Sequence, residues 1–256
     1  MPDRGPTGRR FAADLYERGS ATLIESWAAY ARGAEGASVQ RFPGVAVAVF
    51  PNDPERTVYN NALLERGLDA GPRTDAVDAM EAAYTVAGVS RYAAWVHESD
   101  AAMRGHLERR GYVIAESNRA MGMHLDDLRL PRTEVRIGPA DWSDYLRFEG
   151  LPPAFLRGAD HAAFHVRVVR LDGEIVAAAL AYDHDRDCGL FNIGTAERAR
   201  RRGFGTALTA YQVHDALTRG CVTASLQSTP MAERAYAAVG FRDLGRIFEY
   251  APPAGG

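Results

Sequence analysis

Hydrophobic and polar positions change period within residues 187–220, the most informative stretch of the chain. The apolar run Leu190–Thr195 is rich in strand-forming residues and predicts a β-strand. After Thr206, apolar residues recur at helical spacing, at Ala207, Ala210, Val213 and Leu217. Gly220 follows, at a position where helices commonly end. The pattern therefore predicts a strand, a glycine-containing loop and a helix, in that order.

Regular patterns continue through the rest of the C-terminal half. The apolar runs Phe164–Leu171 and Ile175–Tyr182 flank Asp172-Gly173, a strong signal for a two-residue hairpin turn. Thr229-Pro230 places proline where the first turn of a helix tolerates it. The other predicted elements are strands Val135–Ile137, Val222–Gln227 and Phe241–Tyr250, and helices Ala140–Phe148, Pro153–Leu156 and Met231–Val239.

The N-terminal half shows a comparable alternation of strands and helices. Between Phe11 and Arg32 we expect two helical pieces, broken near Gly19-Ser20, and no ordered structure in residues 1–10. Ser99-Asp100 offers a cap for a helix that follows it. The remaining predicted elements are strands Val45–Phe50, Thr57–Leu63, Tyr92–His97 and Ala120–Leu125, and helices Arg73–Gly88 and Ala101–Arg110.

The two halves repeat one another. Matching residues recur at a nearly constant spacing: 132 positions separate Asn60 from Asn192, Thr74 from Thr206 and Gly88 from Gly220, and 129 separate Gly111-Tyr112 from Gly240-Phe241. The order of strands, loops and helices is shared as well. We interpret the chain as an α/β protein of two tandem domains, residues 1–130 and 131–256, each a mixed central sheet flanked by helices.

Composition and charge narrow the range of partners. The chain has 256 residues, enough to bury substantial cores, and a formal net charge of −3 with both signs interspersed. This balance argues against nucleic acid or an anionic membrane as the partner. With two cysteines and no apolar run long enough for a signal peptide or a membrane span, we expect a cytoplasmic protein.

Candidate chemistry first arises in the loop before the predicted helix. A helix that opens directly after a loop points free amides and the positive end of its dipole at the turn, which favours phosphate. Gly203 and Gly205 allow close approach to the backbone, and Arg200–Arg202 add positive charge. The loop lacks the Gly-Lys-Ser/Thr of a Walker sequence, and Leu208 stands where a dinucleotide fingerprint needs a small residue. The loop therefore predicts a pyrophosphate-binding site.

Two motifs in this half resemble those of the GNAT acetyltransferase superfamily. Arg200-Arg201-Arg202-Gly203-Phe204-Gly205 matches the family's Arg/Gln-x-x-Gly-x-Gly/Ala loop. The family's later pattern, Asn-x-x-Ala-x-x-x-Tyr-x-x-x-Gly-Phe, is matched except at its asparagine by Ala232, Tyr236, Gly240 and Phe241. The resemblance covers residues 135–250 well and residues 45–125 weakly.

The resemblance implies GNAT-like domains and acetyl-CoA as the cosubstrate. In this family the fourth and fifth strands splay apart around the pantetheine arm, and the loop amides hold the pyrophosphate. Thr229 departs from the asparagine that contacts pantetheine in the family. The coenzyme-binding residues that the resemblance implies are Ile193, Thr195, Arg200, Arg201, Arg202, Gly203, Phe204, Gly205, Thr206 and Thr229.

Acetyl transfer to an amine needs a neutral amine, a donor for the developing oxyanion and a proton for the departing thiolate. Tyr236, by its place in the second motif, is the predicted acid, with a core aromatic residue as the alternative. Glu149 is the candidate base, with a solvated helix-end carboxylate as the alternative, and Asn192 is placed to position a water. We expect direct transfer to a primary amine of a small molecule or peptide.

No metal site is expected. Asp183-x-Asp185-x-Asp187 imitates the start of a calcium loop, but Cys188 replaces the required glycine. His161 and His165 have the spacing of zinc ligands, yet Ala162 stands where a zinc protease needs glutamate.

Two rival functions stay open. A non-catalytic acyl-CoA sensor is favoured if no base lies near the cleft, whereas a nucleic-acid-binding domain would use Arg198–Arg202 and conflicts with the acidic net charge. In the first half, Leu68–Arg73 holds one glycine, an acid and a proline at the loop position. We interpret that half as a degenerate copy kept for packing or for shaping the substrate cleft, with binding of a different ligand as the alternative.

Overall fold

A computed structural model describes residues 6–52, 59–130, 134–151, 156 and 158–253, with side chains from residue 14 onward. The helices are α1 (Pro6–Ala31), α2 (Ala70–Val86), α3 (Ala101–Arg109), α4 (Trp142–Phe148), α5 (Phe204–Thr218) and α6 (Glu233–Val239). The strands are β1 (Ser38–Phe42), β2 (Val45–Val49), β3 (Asn61–Leu64), β4 (Ala93–His97), β5 (Val113–His124), β6 (Ile137–Gly138), β7 (Phe164–Leu171), β8 (Glu174–His184), β9 (Asp187–Thr195), β10 (Thr223–Ser228) and β11 (Arg242–Ala251). None of the helices in these ranges has the length and apolar character that crossing a bilayer requires.

Local signals predicted most of these elements. Asp172 and Gly173 have φ of 50° and 87° and form the expected turn between β7 and β8. Asp100 caps α3 by accepting the Met103 amide at 2.9 Å. Strand β1 was not predicted, because its half-buried residues show no alternation of apolar and polar types. The predicted helix Pro153–Leu156 lies almost wholly outside the described residues.

The prediction that α1 breaks near Gly19-Ser20 is wrong, as is the absence of structure in residues 6–10. One helix runs without interruption from Pro6 to Ala31. A Cβ atom on Gly19 would lie 2.7 Å from the Ser225 Cβ, so glycine is needed here for close packing of the helix on β10. Gly19 therefore does not break the helix; it lets the helix pack closely against Ser225.

Spatial contacts divide the chain into two compact units. Unit 1 comprises residues 1–26, 119–155 and 160–244, and unit 2 comprises residues 27–118, 156–159 and 245–256. Residues 119–130, at the end of the first sequence half, therefore belong to unit 1, which the second half mainly forms. Residues 245–256, at the end of the second half, belong to unit 2, which the first half mainly forms. The mixed α/β class is confirmed, whereas the tandem repeat and the boundary at residue 130 stay predictions.

Unit 2 is a sheet covered by α2 and α3. Strands β1 to β4 follow one another in order, and residues 247–250 of β11 pair antiparallel with β4. Of the four strand pairs that join β1, β2, β3, β4 and β11, only β3–β4 is parallel. The core residues share one face of this sheet with the two helices, and they include Val47, Val77, Met80, Tyr84, Met103, Leu107 and Tyr250.

Unit 1 is a second mixed arrangement and contains the predicted motif region. Its strand order is β5 (residues 119–124), β10, β9, β8, β7 and β6, with β9 and β10 parallel. Helices α5 and α6 pack against apolar residues of these strands. Their shared cluster includes Met123, Leu190 and Leu226 from the strands and Ala210, Val213 and Val239 from the helices. Strand β5 comes from the first half of the sequence and pairs with β10 from the second.

Candidate functional site

Strands β9 and β10 separate partway along their length. They pair in parallel from Asp187 with Thr223 to Leu190 with Leu226. Beyond that point β9 continues to Thr195 and β10 to Ser228, and no further pair between them occurs in the described residues. Beyond Leu190 the β9 backbone therefore has no described partner in β10, which is compatible with the splay that the resemblance implies.

A bulge in β9 lies beside this gap. Gly194 is opposite Ala178 and Phe191 is opposite Leu180, so β9 carries an extra residue at this point. Asn192 sits in the bulge with φ of 50° and donates its side-chain amide to the Tyr145 hydroxyl at 2.9 Å. The bulge is thereby tied to α4, where Tyr145 is buried.

Glu149 lies against the same part of β9. It follows the last residue of α4, and its amide bonds to the Tyr145 carbonyl at 3.0 Å. A Cβ atom built on Gly194 would be 3.6 Å from the Glu149 Oε1 atom and 3.4 Å from the Phe148 ring. The structure thus places the candidate base beside the bulge that holds Asn192, within ordinary contact distance of position 194.

The loop after β9 presents the start of α5. Gly203, at the N-cap, has φ of 79°, and the first helical bond runs from the Ala207 amide to its carbonyl. The amides that precede Ala207 in the helix therefore have no acceptor within it. A Cβ atom on Gly203 would meet nothing within 4 Å, and one on Gly205 would lie 3.9 Å from the Thr195 hydroxyl. The loop is open and adjoins the end of β9.

The three arginines surround this helix start. All are exposed. Arg200 donates to the Thr195 carbonyl at 3.4 Å, and the Arg202 guanidinium lies 5.0 Å from the centre of the Phe204 ring. Phe204 itself is buried in a cluster with Leu208, so its side chain anchors α5 while its amide is available at the helix start. Backbone donors and positive charge together make an anion-binding geometry.

Tyr236 lies on α6, in the apolar cluster that borders the diverging strands. This cluster contains Leu190 and Leu226, and Ile193 packs against it. The Phe241 ring meets the Tyr236 ring edge-on at a centroid distance of 6.3 Å. Burial raises the pKa of Tyr236 to about 12, so the phenol stays protonated at neutral pH. The Thr229 side chain is exposed, just before α6.

The acidic residues that imitate a calcium loop have separate partners. Asp183 pairs with Arg219 at 2.6 Å, and Asp187 is buried and accepts hydroxyl bonds from Thr223 and Ser225 at 2.7 Å each. Burial alone would raise the pKa of Asp183, but the bonds from Arg219 and His165 lower it well below its usual range. No group of three or more His, Cys, Asp or Glu suited to a metal occurs within the described ranges.

Sequence reasoning missed two residues at this site. Tyr145 is four residues before Glu149 and so shares its helix face, a relation that can be read from spacing alone. Gly194 is a glycine inside a predicted strand, which commonly marks a close approach by another group. Neither signal says which group approaches.

Comparison with known proteins agrees with the geometry. Residues 126–241 match the family model described as "Acetyltransferase (GNAT) family". A comparison with the curated proteins gave no match. The solved structures with a similar fold include a GCN5-related N-acetyltransferase from Kribbella flavida, which is 17% identical with a TM-score of 0.70 over 95% of this chain and 96% of that chain. A GCN5-related N-acetyltransferase from Sphaerobacter thermophilus is 16% identical with a TM-score of 0.58, over 96% and 92%.

The similar structures and the family model support different conclusions. At such low identity, the solved structures establish a GNAT-like fold for the chain. The model match spans less than half of the chain, and it assigns that segment, residues 126–241, to the GNAT acetyltransferase family.

Proposed function

We propose that unit 1 is an acetyl-CoA-dependent N-acetyltransferase that acts on a primary amine of a small molecule or peptide. The observation that carries the proposal is the divergence of β9 from β10 directly before the open helix start at Gly203. A thioester carrier needs a narrow slot for its arm and a donor-rich turn for its diphosphate. The end of the β9–β10 pairing and the free amides at the start of α5 lie on one chain segment, and they support these two roles.

In the proposed coenzyme site, backbone amides make the main contacts and side chains add to them. The free amides of Gly205 and Thr206 at the start of α5 would bind the diphosphate, with charge-assisted bonds from Arg200 and Arg202. The β9 backbone at Ile193 would pair with the arm. Thr195 lies beside Gly205 and so connects the two regions.

The proposed chemistry is a direct attack. Glu149 accepts a proton from the acceptor ammonium, directly or through water held near Asn192, and the neutral amine attacks the thioester carbonyl. The carbon–sulfur bond then breaks while the leaving thiolate accepts a hydrogen bond from the Tyr236 hydroxyl. The surplus proton on the attacking nitrogen passes to the sulfur, directly or through water, which gives the neutral amide and the thiol. The products are the N-acetyl amine and coenzyme A. The proximity of Glu149 to Gly194 favours this enzyme over a non-catalytic acyl-CoA sensor, because a carboxylate adjoins the proposed carbonyl site.

We also propose that the protein works in the reducing environment of the cytoplasm. Cys188 and Cys221 are both buried free thiols, which fits a chain that does not rely on disulfides.

A paired substitution at two matching helix positions tests coenzyme binding. Gly205 and Gly71 are the second residues of α5 and α2, and a Cβ atom fits at both. A carboxylate near a helix N-terminus favours the fold but repels a diphosphate, so Gly205→Asp separates folding from binding. Calorimetric titration with acetyl-CoA should show at least a 30-fold weaker affinity for Gly205→Asp and an unchanged affinity for Gly71→Asp.

The acceptor is sought with a panel of amines and lysine peptides, by following release of coenzyme A. Binding with no release on any amine supports the sensor. Equal binding by wild type and Gly205→Asp would refute the proposed coenzyme site, provided that the thermal unfolding of the variant is unchanged.

A further inference from the structure

The helix that carries Tyr236 is too short to hold its own position. Helix α6 has seven residues, and its N-cap, Ala232, makes no side-chain capping bond. Helices of this length have little stability of their own and depend on tertiary contacts. The location of the Tyr236 hydroxyl therefore depends on what fixes α6.

Arg119 fixes the N-terminal end of α6. Its Nε atom lies 3.1 Å from Glu233 Oε2, and its Nη1 atom lies 2.7 Å from Asp243 Oδ2. The Arg119 side chain is 19% exposed, so water screens these ion pairs only in part. Glu233 is the first residue of α6 and lies one helical turn before Tyr236. The guanidinium thus connects β5, α6 and β11.

The remainder of α6 rests on the same segment of the first sequence half. Met121 and Met123 of β5 share an apolar cluster with Tyr236. After the strand, the Arg129 amide donates to the Val239 carbonyl at 2.9 Å. Apolar contact holds the middle of the helix, while Arg119 provides an ion pair at its start and donates its hydrogen bond to Asp243.

We propose that Arg119 is the positioning residue for the acid Tyr236, acting through Glu233. The inference rests on the proposed acetyltransferase function and deepens it. It also gives the first half of the sequence a role in the reaction, because strand β5 comes from that half. A planar guanidinium suits this role, since it can bond two carboxylates on separate elements at once, whereas an ammonium is a single point charge.

A double-mutant cycle tests the inference, because it measures coupling between the two residues. Arg119→Met should lower kcat for coenzyme A release about 10-fold, with the Kd for acetyl-CoA within twofold of wild type. In a Tyr236→Phe background, Arg119→Met should change kcat by less than twofold. Arg119→Lys should recover part of the loss. Arg242→Met is the matched control, since it removes an ion pair with Asp127 at 2.7 Å and should leave kcat within twofold.

The outcomes separate the two levels of the proposal. If wild type releases no coenzyme A with any amine, the proposed function fails, and the role of Arg119 fails with it. If wild type is active and Tyr236→Phe is slow, but Arg119→Met slows both backgrounds equally, the positioning role alone is overturned. An equal loss in Arg119→Met and Arg242→Met would show a general structural effect and would also overturn it.

Discussion

Replacing Tyr236 with phenylalanine isolates one hydroxyl group. The ring is buried against Phe241 and shares a cluster with Leu226, so phenylalanine retains those contacts. This hydroxyl makes no hydrogen bond to another described residue, so its removal breaks no hydrogen bond within that part of the chain. We expect the free energy of unfolding to change by less than about 1 kcal/mol.

The size of the kinetic effect follows from the raised pKa. Burial places the pKa of Tyr236 at about 12. A thiol has a pKa of about 8.5, so complete transfer of the phenol proton to a free thiolate costs roughly 5 kcal/mol at 1.36 kcal/mol per unit. The hydroxyl therefore acts best as a hydrogen-bond donor to the sulfur while the carbon–sulfur bond breaks. A bond to a charged group contributes about 1.5–3 kcal/mol, which predicts a loss in kcat of roughly 10- to 150-fold.

The assay is coenzyme A release with a thiol-reactive dye, alongside calorimetric titration with acetyl-CoA. We expect the loss in kcat with the Kd unchanged within twofold. A kcat equal to that of wild type would refute the acid role. A weaker Kd with unchanged kcat would instead identify Tyr236 as a coenzyme contact.

Three further predictions concern a base, a buried acid and a glycine. Glu149→Gln should lower kcat by roughly 100-fold or more without weakening acetyl-CoA binding; full activity would exclude it as the base. Burial raises the pKa of Glu249 from 4.5 to about 7. As the pH rises, the Glu249 carboxyl therefore ionises in the unfolded state before it does in the folded state, and the free energy of unfolding should fall between about pH 4.5 and 7, by at most about 3 kcal/mol. Chemical denaturation of Glu249→Gln should lack this pH dependence. An equal pH dependence in the variant would show that Glu249 is not its source. Gly240 has φ of 135°, and a Cβ atom there would lie 2.7 Å from the Asp127 carbonyl oxygen. Gly240→Ala should cost at least about 2 kcal/mol in chemical denaturation, against about 1 kcal/mol for Gly220→Ala, where φ is 89° and the space is open; equal costs would refute the clash.

Sequence reasoning succeeded where structure is local. The β7–β8 turn is set by two residues that accept positive φ, Asp172 and Gly173. Helix α5 was also expected, although it begins at Phe204, two residues before the predicted start at Thr206. Such signals act over a few bonds and need no knowledge of the rest of the fold.

Sequence reasoning failed where segments that are distant in sequence come into contact. The pairing of β5 with β10, and of β11 with β4, joins residues about a hundred or more positions apart, and apolar periodicity does not indicate which strands pair. Gly19 was misjudged for the same reason, since the atom that requires a glycine there belongs to Ser225. The candidate base was placed by its loop, but its contact with Gly194 depends on a bulge that periodicity does not reveal.

We predict no second coenzyme site in the described part of the first sequence half, because the strands that correspond there to β9 and β10 stay paired. In the proposed repeat, Asn61 and Leu63 of β3 match Ile193 and Thr195 of β9 by the spacing of 132. They remain paired with Ala93 and Trp95 of β4, and the Trp95 indole donates to the Asn61 side chain at 3.1 Å.

The turn after β3 is occupied as well. The Gly67 amide, a donor that an anion would need, bonds to the Asp100 carboxylate at 2.9 Å. An arm cannot enter between strands that stay hydrogen-bonded, and a carboxylate at the turn repels a diphosphate. Calorimetric titration should therefore give one acetyl-CoA per chain. A stoichiometry of two in the wild type that falls to one in Gly205→Asp would show that unit 2 binds the coenzyme after all.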